Sequence, residues 1–96
     1  MSDFPFEQKI IGEKTMIRKF SKYVEANQLV WHRDREDRFV EVISGKGWSI
    51  QLDNKLPQKL TEGSTFAIKA GQYHRILKGE NDLKIKIYEN QTRQSK

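Results

Sequence analysis

Glu62–Lys78 reads EGSTFAIKAGQYHRILK, and it holds two short alternating segments separated by a glycine-containing turn. Phe66 and Ile68 share one face of the first segment, and His74 and Ile76 share one face of the second, because successive side chains of a strand point to opposite sides. His74 therefore lies on an apolar, inward face. The same period of two runs outward in both directions. Downstream, Leu83, Ile85 and Ile87 oppose Lys84 and Lys86. Upstream, Arg38, Val40 and Val42 oppose Phe39, Glu41 and Ile43, and Trp48, Ile50 and Leu52 oppose Ser49, Gln51 and Asp53. Turn formers fill the gaps at Asp53–Lys55, Thr61–Ser64 and Lys78–Asp82. Ser44-Gly45-Lys46-Gly47 reads as a hairpin turn joining two of the strands. Short strands at regular spacing predict an all-β antiparallel sandwich or small barrel.

The flanks are less regular. Gln8–Ile11 and Thr15–Phe20 read as strands that either extend one sheet or cross to a partner subunit, and Pro5 keeps the chain before them out of a long helix. Residues 90–96 carry almost no apolar side chain and are expected to fray. The 96 residues suit one domain, over 1–89, with one core. With 35% hydrophobic and 32% charged residues the apolar share is low, which points to a homodimer that buries the deficit. The chain lacks cysteine, which excludes a disulfide framework and thiolate metal ligands. No stretch has the apolar length of a membrane span, and the first residues lack the basic-then-apolar order of a signal peptide, so the expected location is cytoplasmic. The net charge of +5 is scattered among acids, with no helix-turn-helix pattern or zinc-finger spacing, so the basic residues read as solvated surface rather than a nucleic-acid site.

Two spacings carry a family resemblance. Gly63, Gly71 and His74 match a pattern of glycine, five residues, proline, one residue, glycine, two residues, histidine, three residues and asparagine, with Lys69 and Lys78 at the proline and asparagine positions. His32, Asp34, Arg38 and Gly45 follow a second pattern, in which two histidines one residue apart precede a glutamate and then a glycine. Together they resemble the signature motifs of the cupins over Gln28 to Glu89. The resemblance implies a small antiparallel cupin β-barrel of the jelly-roll type, with core motifs in 28–89.

His32 and Asp34 lie two apart and so emerge on one face of an extended segment, and His74 faces inward on its own strand. Two imidazoles and one carboxylate form the ligand set of a facial triad, suited to ferrous iron, with manganese, nickel or zinc as competitors. No organic cofactor is indicated. Arg38 stands where metal-binding cupins usually carry glutamate, and a guanidinium has no lone pair for a cation. An inward arginine needs a carboxylate partner, for which Asp34, Glu36 and an acidic ligand are the candidates. Trp48 is a candidate to stack on a ligand, against the alternative that it belongs to the core. Two functional readings share these residues. In one, a metal on His32, Asp34 and His74 serves an oxygenase or isomerase whose small anionic substrate is oriented by Arg38. In the other, Arg38 is ion-paired to Asp34 in a non-catalytic, metal-free ligand-binding or structural cupin.

Overall fold

The computed structural model describes residues 4–89. They form eight strands: β1 (Phe6–Gly12), β2 (Thr15–Phe20), β3 (Arg38–Ser44), β4 (Ser49–Leu52), β5 (Gln58–Lys59), β6 (Thr65–Ile68), β7 (His74–Leu77) and β8 (Leu83–Glu89). One turn of 3-10 helix, Ala26–Gln28, stands between β2 and β3. Five strands make one sheet in the order β1-β2-β8-β3-β6, and three make a second in the order β5-β4-β7. The pairings within both sheets are antiparallel.

The expected barrel is corrected in one respect. Among the described residues no ladder joins the two sheets, so the strands form an open pair of sheets rather than a closed ring. A second expectation is corrected at Ser44–Gly47. These residues were expected to close a hairpin, but β3 and β4 do not pair, and the segment instead carries the chain from one sheet to the other. The N-terminal segments take the first of their two expected roles, since β1 pairs with β2 and β2 with β8, extending the larger sheet. The frayed tail expected at 90–96 lies outside the described residues.

Alternation decides which residues meet between the sheets. Val40 and Val42 of β3, Leu83, Ile85 and Ile87 of β8, and Met16 and Phe20 of β2 are buried, while Phe39 and Ile43 are exposed. The second sheet adds Ile50, and Trp48 and Leu60 beside it join the same core. Burying each large apolar side chain contributes roughly 1.5–3 kcal/mol, so this shared core is what holds the unladdered sheets together.

Trp48 anchors the join. Its side chain is fully buried, its ring lies 5.8 Å from that of Phe20, and its indole N–H donates to the Asn81 carbonyl at 2.6 Å. Gly79 passes directly against it, and a Cβ there would collide with the Trp48 ring and backbone and with the Lys46 carbonyl oxygen. Gly79→Ala should therefore lower the thermal unfolding midpoint, with a cost of about 1–3 kcal/mol as for other overpacked sites. An unchanged midpoint would show that the Lys46–Trp48 segment can move away from Gly79.

Candidate metal centre

His32 and His74 sit directly opposite one another. The His32 N–H donates to the His74 carbonyl at 3.0 Å, and the His74 N–H returns a bond to the His32 carbonyl at 2.9 Å. This isolated antiparallel bridge brings the two imidazole centroids to 4.3 Å. A second clamp lies one turn away, where the Gly71 N–H donates to the Asp34 carbonyl at 2.8 Å and the Ala70 N–H to the Asp37 carboxylate at 2.7 Å. Gly71 has φ of 80°, a left-handed conformation that costs glycine little and most residues more. The loop before β3 and the turn before β7 are thereby fixed to each other by three main-chain bonds and one to the Asp37 side chain.

Those bonds leave His32, Asp34 and His74 with one potential ligand atom each, all within 4.8 Å of one another. The three residues expected to form the triad are thus brought together. Each ring is also oriented from behind. His32 Nδ1 lies 3.0 Å from the Val30 carbonyl oxygen and His74 Nδ1 lies 2.8 Å from that of Gln72. A carbonyl oxygen only accepts, so each Nδ1 bears a proton, and a neutral ring then leaves its Nε2 lone pair for the site. Nε2 of His74 then lies 3.4 Å from Asp34 Oδ2, and Nε2 of His32 lies 3.9 Å from Asp34 Oδ1. Asp34 Oδ2 is buried with no hydrogen-bond partner.

Lone pairs facing one another at these distances repel unless a proton or a cation lies between them. A proton is disfavoured at His74. Burial is the largest effect and pulls its pKa below the ordinary 6.5; the Gln72 carbonyl opposes it, His32 adds to it, and Asp34 and Arg38 act in opposite directions. The donor set and the orphaned carboxylate oxygen both fit a divalent metal.

Arg38 faces inward, as its phase with Val40 and Val42 requires, but its partners differ in part from the expected ones. It reaches Asp34 at 3.4 Å and, more closely, Glu89 at 2.8 Å, whereas Glu36 pairs with Lys14. Glu89 was missed, although it continues the inward series Leu83, Ile85, Ile87 by one more step and is the register partner of Arg38. Trp48, the ligand-stacking candidate, is placed in the core and is not among the residues that line the cavity beside the triad. That cavity, of about 400 Å³, lies between the two sheets and includes His32, Asp34, His74 and Arg38 in its wall. The rest is mainly apolar, with Ile50 and Ile76 from one sheet and Val40, Phe66 and Ile85 from the other, and it holds a second cation, Arg18.

Solved structures share this arrangement of strands. A cupin-2 domain protein from Shewanella frigidimarina superposes with a TM-score of 0.63 at 24% identity, over 84% of this chain and 76% of that one. The fold is that of the cupins. KdgF from Halomonas sp. matches this cupin fold with a TM-score of 0.67 at 16% identity, covering 92% of this chain and 82% of its own. HppE in its cobalt(II) form, complexed with Tris buffer, matches with a TM-score of 0.71 at 10% identity over 94% of this chain, which spans 56% of that cupin-fold protein. No family model and no curated protein matches the sequence.

The lowered pKa of His74 makes stability depend on pH. Because the unfolded imidazole takes up its proton at higher pH than the folded one, the folded state is favoured above about 6.5 and loses that contribution as pH falls toward the folded pKa. The unfolding midpoint of the metal-free protein should therefore decline as pH drops below about 6.5. His74→Gln should flatten this part of the profile, and an unchanged slope in the variant would remove His74 as its source.

Proposed function

We propose that this chain is a metal-binding cupin, with a divalent transition ion held by His32, Asp34 and His74 and a small anionic molecule bound in the adjoining cavity. The observation behind the reading is that the two fixed imidazoles present Nε2 to one Asp34 carboxylate, His32 to Oδ1 and His74 to the buried, unpartnered Oδ2. Similarity in fold to a protein solved with cobalt(II) supports it. Iron, manganese, nickel and zinc all suit this nitrogen and oxygen donor set. When bound, such an ion supplies Lewis acidity or oxygen activation, which makes an oxygenase or an isomerase the reaction class proposed here.

The protein's own residues do the remaining work. The Val30 and Gln72 carbonyls hold the imidazoles, Arg38 holds Asp34 through Oδ1, and the apolar walls exclude water from the bound molecule. Arg38 also supports a second reading. Its 3.4 Å contact with Asp34 is the pair expected of a metal-free, non-catalytic ligand-binding cupin.

Calorimetric titration of chelator-stripped, tag-free protein separates the two. One equivalent of zinc or manganese should bind, and His32→Ala and His74→Ala should each weaken binding by about 10–100-fold or more, as loss of even a supporting residue does at metal sites. Absence of binding by the unaltered protein, or binding by both variants as tight as that of the unaltered protein, would favour the metal-free reading.

A further inference from the structure

Two arginines line the cavity, and their surroundings differ in kind. Arg38 is neutralised by two carboxylates, Glu89 at 2.8 Å and Asp34 at 3.4 Å. Arg18, on the inward face of β2 between Met16 and Phe20, has no carboxylate within ion-pair distance among the described residues. Its fixed partner is a neutral amide: Nε and Nη2 donate to Gln8 Oε1 at 2.8 and 2.5 Å, across the β1–β2 ladder. Its Cζ lies 3.9 Å from the centre of the Phe6 ring. Gln8 and Phe6 hold the guanidinium in place and satisfy one edge of it without cancelling its charge.

From these contacts we infer that Arg18 is the anion anchor of the cavity, and that the molecule bound there is an amphipathic carboxylate. The inference rests on the proposed cavity reading and names its substrate class. A guanidinium has five N–H groups in a planar fork, and Gln8 takes one from Nε and one from Nη2. The outer edge, formed by Nη1 and the second Nη2 hydrogen, has the two-pronged shape that pairs with a carboxylate. Burial, and next the charge of Arg38, lower the Arg18 pKa to about 10 against the smaller opposing charges of Asp34 and Glu89, so it stays charged at neutral pH while neither carboxylate is in direct contact with it. An entering anion supplies what Asp34 and Glu89 supply to Arg38.

The apolar remainder of the wall selects the rest of the ligand. Phe6, Phe20, Phe66 and Leu29 stand around the cavity together with Arg18, and its volume of about 400 Å³ falls within the range of small-ligand pockets. A free inorganic anion would leave those rings uncovered. A carboxylate on an aryl or alkyl body covers them while its head group meets Arg18.

The test compares 3-phenylpropanoate with its uncharged analogue 3-phenylpropan-1-ol, by calorimetry on the chelator-stripped protein. The acid should bind about tenfold or more tightly than the alcohol. Arg18→Gln should abolish that difference while leaving alcohol binding and the zinc isotherm as they were, and Arg18→Lys should keep part of it. Equal binding of acid and alcohol by the unaltered protein, failure of both to bind, or an acid preference that survives Arg18→Gln with the fold intact would overturn the inference. Loss of zinc binding alone would count against the metal centre and leave Arg18 standing.

Discussion

The reciprocal pair of main-chain hydrogen bonds between His32 and His74 is the constraint on which the site depends. Side chains on two separate segments could approach in many ways, but a directly opposed antiparallel pair fixes the two Cβ atoms and presents both rings on the same side. The Nδ1 contacts to Val30 and Gln72 remove the remaining freedom of ring orientation. Because each of these carbonyls lies two residues before its histidine, orientation is built into the local chain and needs no distant partner. The cost of holding two imidazoles against a carboxylate is then borne by the surrounding core, chiefly the buried valines, leucine and isoleucines of β3 and β8.

Charge around Asp34 is balanced in a way that suits either occupancy. Arg38 is shared between Asp34 and Glu89, and the shorter of its two contacts is to Glu89. A cation taken up by the triad would draw on Asp34 while Arg38 kept its closer partner. The departure from the usual glutamate at position 38 thus need not place an isolated positive charge beside the site. Breaking the cluster by removing Arg38 would strand two partly buried carboxylates, which is why pairs of this kind are hard to mutate from one side.

The sequence made the strand phases legible because each sheet has one face in the core, so a one-residue error would turn every valine and isoleucine outward. Arg38, Val40 and Val42 were placed correctly for that reason, as were His74 and Ile76. The partner of each strand was not legible at Ser44–Gly47, since the same glycines serve a hairpin and a crossing between sheets. Trp48 shows a related gap: alternation placed it inside, but inside includes both packed core and cavity wall, and only the approach of Gly79 and Phe20 distinguishes them. Glu89 and Arg18 each sit in phase with apolar neighbours, and a charged residue in such a series was the available signal for both. The Nδ1 contacts that set the tautomers are three-dimensional facts with no counterpart in spacing.

A metal site at this position requires both histidines to be held with Nδ1 protonated and Nε2 free. The chain contains only these two histidines, so long-range proton–nitrogen correlation spectra of uniformly nitrogen-15-labelled, metal-free protein at neutral pH read that requirement directly. Two neutral rings, each with a protonated Nδ1 and an unprotonated Nε2, are the predicted result. A proton on Nε2 of either ring, or an imidazolium at His74, would contradict it.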